Sequence, residues 1–437
     1  MGKKERNSSK DIHKAFGRKV SLIPWNGKIT HNVNFLELDH NFHYFSDVTF
    51  KGYKDETSDT VTIEASCVTG FECAAIEEAK TKLKVENIQE FMGRIIFDTP
   101  LNMLQNVLEL RCVDNVTVVI GAKTGFDFAN TTEEKSLEVL NEFAMNLCWE
   151  KGLRAWNSIF DFYSDSGDFH DQEKRAKLEK IPTFRCTCYR SGENIHKFSS
   201  MDVARHVGGQ VQEKFGWGVK MKDFDIEFVI NVDTNQAYGG IALTKQSLYK
   251  RNIEFFGPTT LRATICANLL QLANIQPGEI VCDPMCGGGS IPIEGAMAFK
   301  QGFYIGGDYH EKASERTANN LKHHGLKLQS DGVQWDATNI PMRDNSIDVL
   351  VSDLPFGKRS GSKADNRVLY PNLLNSMARV VRPKTGRAVL LTQDKTSMFK
   401  SAGKFNKFWK INKQMYCNIG GLAALVFLMH RTEECPE

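Results

Sequence analysis

The sequence predicts an α/β fold: a doubly wound sheet that ends in an antiparallel hairpin, with an α+β half in front of it. Two observations carry this. From Thr260 onward, short apolar strand candidates alternate with helical patterns, and the first four (EIVCD, FYIGGD, GVQWD and IDVLVSD) each end in an aspartate. That is the pattern of a parallel sheet with functional groups gathered at the carboxyl ends of its strands. Before Thr260, strands and amphipathic helices follow one another without regular alternation, as in α+β folds with antiparallel pairing.

The elements run in this order. Residues 1–60 show weak periodicity and are expected to form a partly ordered tail, with His31, His40 and His43 as surface histidines. VTIEASCV (61–68) has strand alternation, and TGFECAAIEEAKTKL (69–83) has helical spacing of Phe71, Ala75, Ala79 and Leu83. GRIIFDT and NVTVVIG are further strands, and a helix is expected over 133–148. Residues 163–181 are polar and charged and are expected to be a linker. TFRCTCYR is then a strand, and 199–216 a helix with Ser200 as its N-cap. FDIEFVINVD and AYGGIALT pair through a hairpin at Thr234-Asn235-Gln236. At the far end, KFWKINKQMYCNI and LAALVFLMHR are two strands turned at Gly420-Gly421. The apolar run Leu422–Met429 is expected to offer a sheet edge to a partner protein.

Composition excludes several classes. Over 437 residues, 41% are hydrophobic and 25% charged, so wholesale disorder is excluded. With 55 Lys+Arg against 53 Asp+Glu the chain is not a polycation, although local basic patches remain open. Leu422–Met429 is too short to span a bilayer. The 11 cysteines are odd in number and irregularly spaced, with no apolar leader before them, which points to a reducing, intracellular compartment. Cys186 and Cys188, with no second pair, fit a strand face better than zinc, and no metal site is expected.

Four elements carry chemistry. In EIVCDPMCGGGSIPIEGA (279–296), a strand runs into Asp283 and Pro284, then Gly287, Gly288 and Gly289, then a helix with Ser290 and Pro292 in its first turn. Glycines let backbone approach a ligand. No Walker lysine follows, and the acid in front of the loop suits a cationic ligand such as S-adenosylmethionine better than a pyrophosphate. Asp308, ending the next strand, can accept ribose hydroxyls. Asp336 in QWDAT can accept from an adenine amino group. Last, Asp353-Leu354-Pro355-Phe356 closes IDVLVSD. An exocyclic amine on a nucleobase is a poor nucleophile because its lone pair is delocalised into the ring. The Asp353 carboxylate and Leu354 carbonyl could each accept one N–H and aim the lone pair, Pro355 would fix the turn, and Phe356 would stack on the base. A base inside a duplex must first be extruded. The following GKRSGSKADNR puts Lys358, Arg359, Lys363 and Arg367 where they can reach phosphates. Each feature alone also has a plain reading, as N-cap, turn or solvated loop. Four in this order favour the nucleoside reading.

In this order, DPMCGGGS, GGD, QWDAT and SDLPFGKRSGSK resemble class I, Rossmann-like methyltransferases that act on exocyclic amines. More narrowly, DPMCGGGSIPIEGA, SDLPFGKR, GRAVLLTQD and YGGIALTKQSLYKRNIEFFGPTTLRAT resemble the THUMP-domain tRNA guanine-N2-methyltransferases, of the eukaryotic THUMP domain-containing protein three type. The upstream VTIEASCVTGFECAAIEEAKTKL is similar to that family's ferredoxin-like front half. The resemblance spans roughly residues 60–430 and implies a ferredoxin-like domain over 61–160, a THUMP domain over 161–250 and a methyltransferase domain over 251–437.

It further implies methyl transfer from S-adenosylmethionine to N2 of a tRNA acceptor-stem guanosine, around position six or seven, with the THUMP domain gripping the tRNA 3′ end. Matching cofactor positions are Asp283, Pro284, Cys286, Gly287, Gly289, Asp308 and Asp336, and matching target-base positions are Asp353, Leu354, Pro355 and Phe356. Arg251 and Arg262 match basic positions that touch RNA or order the cofactor site. Gly288 and Ser290 stand where relatives more often carry Thr and Ala. The resemblance also implies a small zinc-binding activator subunit as partner, the zinc being the partner's, and a cytoplasmic location with the nucleus as a second compartment. The alternatives are a sister activity on a spliceosomal small nuclear RNA and a catalytically retired RNA-binding protein. Persistence of Asp283, Asp308, Asp336 and Asp353 weighs against the last.

Overall fold

The computed structural model describes residues 50–55, 57–163, 181–191, 195–255, 257, 260–357 and 362–436. The histidines at 31, 40 and 43, most of the expected linker, and Lys358 and Arg359 lie outside the described residues. The chain divides into two compact units, one of Val68–Glu77 with Leu248–Glu437, the other of Asp39–Cys67 with Glu78–Ser247.

The second unit is built on one eight-stranded sheet in the order β2-β3-β1-β4-β8-β7-β5-β6. Its strands are β1 Thr60–Cys67, β2 Ile88–Phe91, β3 Arg94–Pro100, β4 Val113–Thr124, β5 Thr183–Arg190, β6 Gly218–Val219, β7 Ile226–Asp233 and β8 Gln236–Ala242. Pairing is antiparallel except where β5 runs parallel to β6 and β7. The β7–β8 hairpin turns at Thr234-Asn235, with Asp233 opposite Gln236. Residues 50–53, expected to close the tail, are anchored instead. Phe50 and Tyr53 are buried against Phe91, Ile96, Val119 and Tyr238.

The helices mostly follow the periodicity. Helix α1 (Glu72–Leu83) carries Glu72 in its first turn and Lys80 and Lys82 in its last, matching the helix dipole. The helix expected over 133–148 is α2 (Glu133–Met145), and a second helix not expected from the sequence, α3 (Trp149–Phe160), follows it. The indole N–H of Trp149 donates to the Ala144 carbonyl at 2.8 Å and ties them together. Gly152 sits inside α3, because a Cβ there would collide with Ile120 and come within 2.9 Å of Ile241. Helix α4 (Ser200–Phe215) is capped by Ser199 rather than Ser200. Asp202 is at the third helical position, so Ser199 and Asp202 exchange side chain-to-backbone bonds as a capping box.

The other unit holds a seven-stranded sheet in the order β11-β10-β9-β12-β13-β15-β14. Its strands are β9 Ile280–Asp283, β10 Phe303–Asp308, β11 Ser330–Gln334, β12 Val349–Asp353, β13 Arg387–Thr392, β14 Trp409–Ile419 and β15 Leu422–Arg431. The first five are parallel, and β15 is antiparallel to both β13 and β14. The hairpin turn puts Gly420 at φ 57° and Gly421 at φ 84°. Strand β15 therefore lies inside the sheet, with Leu425–Met429 buried. The expectation that this apolar run forms an edge is corrected: the edge strand is β14. Strands and helices alternate through α5 (Ala263–Ala273), α6 (Ser290–Ala298), α7 (Glu311–His323), α8 (Lys363–Val380) and α9 (Lys395–Lys404). The order reverses between β9 and β12, and an α/β sheet opens a crevice at such a reversal, outside the carboxyl ends.

Candidate active site

Asp283 ends β9 and Asp353 ends β12, so the switch point brings the two acids together. Asp283 is 2% exposed. Its Oδ1 accepts the Ser352 hydroxyl at 2.6 Å and the Met285 N–H at 3.1 Å. Burial pushes its carboxyl up to about 7, against the bonds from Ser352 and Met285. Burial also lifts Asp353 well above the usual carboxylate range, and the Asp283 charge adds to the rise. Asp308 repels both. The charges that act on this pair are thus negative, and a positively charged ligand would relieve them.

The glycine loop is tied down from several directions. Gly287 and Gly289 have φ of 55° and 84°, so both use conformations that favour glycine. Asp308, at the end of β10, accepts the Gly287 N–H at 3.0 Å through Oδ2 and the His310 N–H at 2.9 Å through Oδ1. Cys286 donates its N–H to the Gly307 carbonyl at 2.8 Å, and its side chain is buried. The Pro284 carbonyl accepts the Trp335 indole N–H at 3.0 Å. A Cβ at Gly288 would meet only ordinary contact, 3.6 Å from the Phe255 carbonyl oxygen, so the fold does not require glycine there.

Asp336 departs from expectation. It lies two residues past the end of β11, is exposed, and caps a short 3₁₀ turn over Ala337–Asn339. Its Oδ1 accepts the Thr338 N–H at 2.8 Å and hydroxyl at 2.7 Å. It is linked to the other acids through backbone, by the Trp335 N–H on the Asp308 carbonyl at 3.0 Å.

After Asp353 the chain turns sharply. The Leu354 N–H donates to the Leu391 carbonyl at 2.8 Å. Pro355 turns its carbonyl to α8, and Phe356 is half-buried against the core cluster that holds Val351 and Leu391. Of the basic candidates, Lys363 is exposed at the first position of α8. Arg262 caps α5 and lies 4.5 Å from the centre of the Tyr249 ring. Arg251 is half-buried just before the segment 252–257.

Sequence reasoning missed several polar groups that hold this site, among them Ser352, Thr317 and Asn320. Asn320 is fully buried. Its Oδ1 accepts the Glu254 and Phe255 N–H groups at 3.1 and 3.0 Å, and its Nδ2 donates to the Phe255 and Gly288 carbonyls at 3.2 and 3.0 Å. It fastens residues 254–255 to the glycine loop. The available signal was a polar residue at a helix position whose spacing calls for an apolar one.

Residues 250–424 match the RMKL-like methyltransferase domain family, and residues 166–239 match the THUMP domain family. The tRNA (guanine(6)-N(2))-methyltransferase THUMP3 of Bos taurus is 37% identical, with 89% of this chain and 92% of that protein covered. Its Homo sapiens counterpart is 35% identical, over 91% and 94%. The chain belongs to the THUMP-domain guanine-N2-methyltransferase family. Within this family, the U6 snRNA (guanine-N(2))-methyltransferase THUMPD2 of Homo sapiens is 30% identical over 48% of this chain and 41% of that one. Among solved structures, TrmN from Thermus thermophilus superposes with a TM-score of 0.68, at 22% identity, over 85% of this chain and 99% of that one. SMU.472 complexed with SAH superposes with a TM-score of 0.63, at 19% identity, over 87% and 100%. Both share the fold of this chain, in which the THUMP match precedes the methyltransferase match in sequence.

Proposed function

We propose that this protein transfers a methyl group from S-adenosylmethionine to the exocyclic N2 of guanosine six in the tRNA acceptor stem. The observation that carries the proposal is the acid pair Asp283 and Asp353 at the switch point, next to a glycine loop held by Asp308. When bound, S-adenosylmethionine supplies a methyl group on a sulfonium. Asp283, Cys286, Gly287, Gly289, Asp308 and Asp336 are the residues that would hold it, with Pro284 keeping the loop in line through Trp335. The Asp353 carboxylate and the Leu354 carbonyl make no bond to another residue's side chain among the described residues. They are therefore available to accept the two amine N–H groups. Held this way, the nitrogen keeps its lone pair directed outward, and the proton it loses on methylation passes to Asp353 or on to solvent. Phe356 would stack on the extruded base.

The reading includes tRNA held at its 3′ end by the THUMP domain and a small zinc-binding activator subunit forming a heterodimer. The edge strand β14 supports such a partner, because it ends the sheet. A cytoplasmic location, with the nucleus second, goes with that substrate. Arg251, Arg262, Lys358, Arg359 and Lys363 are proposed as RNA contacts.

The test is labelled methyl transfer to total tRNA and to small nuclear RNA, with and without the activator, followed by nucleoside analysis. N2-methylguanosine in tRNA, dependent on the partner, is the expected result. Label appearing in small nuclear RNA alone would replace the substrate. Asp353→Ala should lose at least a thousandfold in turnover, on the order of the 4 kcal/mol that positioning and proton transfer supply together, with tRNA affinity kept. Near-normal turnover in that variant would remove Asp353 from the chemistry.

A further inference from the structure

The turn that carries the acceptor groups is gripped from behind by a closed ring of buried polar side chains. The Pro355 carbonyl accepts the Tyr370 hydroxyl at 2.7 Å and the Asn366 Nδ2 at 2.9 Å. The Tyr370 hydroxyl also meets the Thr392 hydroxyl at 2.8 Å. Thr392 Oγ1 accepts the Asp394 N–H at 2.9 Å, and Asp394 Oδ2 accepts from Asn366 Nδ2 at 3.2 Å. Asn366, Tyr370 and Thr392 are fully buried, and Asp394 is 5% exposed.

Proton counting fixes the direction of each bond. A carbonyl only accepts, so the single Tyr370 proton goes to Pro355. Thr392 must then donate its own proton to the Tyr370 oxygen, while its lone pair receives the Asp394 N–H. Asn366 spends one amide proton on Pro355 and the other on Asp394. Burial raises the Tyr370 phenol, so it stays a donor at any working pH. Burial works against the Asp394 carboxylate, but the bonds from Ser397 and Asn366 outweigh it and hold the acid below its usual range. The ring therefore has one protonation state and one arrangement. A buried network in which each bond direction is determined holds its members more tightly than isolated pairs do.

Its placement gives it a consequence for the reaction. The residue before Pro355 is pinned on its N–H side by the Leu391 carbonyl. With Leu354 N–H and the Pro355 carbonyl both fixed, the peptide plane between Leu354 and Pro355 cannot rotate, and it carries the Leu354 carbonyl. We propose that Asn366 and Tyr370, oriented by Asp394 and Thr392, are positioning residues that aim the Leu354 carbonyl and the Asp353 carboxylate at the acceptor amine. The proposal rests on the amine-methylation reading above.

The test uses the full-length protein with its activator. Tyr370→Phe removes one proton and little volume, and Thr392→Val removes the hydroxyl that orients Tyr370. Expected is a fall in kcat of roughly tenfold to a hundredfold in each, the penalty for misaligned reacting groups, with KM for tRNA and for S-adenosylmethionine within about twofold. Thr392→Ser, which keeps the hydroxyl, recovers most of the lost turnover. Hydrogen exchange of a peptide over 350–357 should speed up in Tyr370→Phe and Thr392→Val while β9 and β10 keep their protection. This readout needs no activity. If wild type methylates nothing, the functional reading fails while the exchange data still judge whether the ring holds the turn. Unchanged exchange and unchanged kcat in Tyr370→Phe would overturn the proposal. So would equal losses in the valine and serine variants, or a loss spread evenly over kcat, both KM values and thermal stability.

Discussion

Asp283 and Asp353 are two carboxyl groups that burial alone would discourage, set side by side with Asp308 nearby to discourage them further. A cation between or beside them would offset both effects, and this sets a pH dependence with a definite sign. The Asp283 carboxyl is raised from 3.8 to about 7 in the ligand-free protein. Between those limits the folded protein binds a proton that the unfolded chain does not. The stability this proton confers is fully present below the lower value and is lost as pH rises through the upper one. A cationic donor favours the ionised acid, so binding expels the proton. S-adenosylmethionine affinity should therefore climb between pH 5.5 and 7, by up to about tenfold per unit, and flatten above. Titration calorimetry at pH 6 in two buffers of different ionisation enthalpy should show proton release. An affinity that is level across this range, with no buffer dependence, would mean that Asp283 is already ionised in the free protein.

At the scale of elements, the end of the sheet opposite the acids is fixed by Arg387, the first residue of β13. Its guanidinium pairs with both oxygens of Glu279 at 2.8 and 2.6 Å. It also donates to the carbonyls of Ala273 and Asn274 at 2.6 and 2.8 Å, capping the C-terminus of α5. Truncation would leave the Ala273 carbonyl without its donor and the half-buried Glu279 carboxylate without its counter-charge, with only the Gln276 N–H still on it, so Arg387→Ala should cost about 3 kcal/mol or more in chemical denaturation. Because the lost bonds lie at the amino ends of β9 and β13, kcat at low temperature should stay close to wild type. A variant as stable as wild type would show that water replaces the arginine at no cost.

The same scale shows what could be read in the sequence. The parallel strands were legible because buried runs between helices leave a strong pattern, and three of the four terminal aspartates sit at strand ends as their position implied. Asp336 falls two residues past the strand end it was expected to occupy, because Trp335 and Asp336 continue the strand-like pattern while the pairing stops at Gln334. Strand β2 and helix α3 were missed, the first for its four residues and the second for Gly152. Asn366 and Tyr370 were invisible as site residues. Their partners lie far away in sequence, and a polar side chain that satisfies a distant carbonyl leaves no local pattern.

For the whole molecule, the division of the chain is not the division of the sequence. Strand β1 belongs to one unit, the next ten residues to the other, and the chain then returns. Gly70, at φ 96°, explains the excursion: a Cβ there would strike the Tyr416 carbonyl, so only glycine lets this stretch lie against β14. The Asn418 N–H donates to the Thr69 carbonyl at 2.9 Å, and Val68 and Phe71 are buried in a core shared with Met415 and Cys417. Sequence reading assigned this stretch to the front half because motifs follow chain order and packing does not. The expected thermodynamic consequence is two unfolding transitions, since each unit has its own core and its own sheet. The acid pair and the glycine loop both lie in the unit of Leu248–Glu437. S-adenosylhomocysteine at a hundred times its Kd should thus stabilise that unit by about 2.7 kcal/mol and leave the other transition where it was. Differential scanning calorimetry with and without this product reads both at once. A single transition that the product moves as a whole would mean that residues 68–77 bind the two units into one cooperative structure, and that a substitution in either half is felt in both.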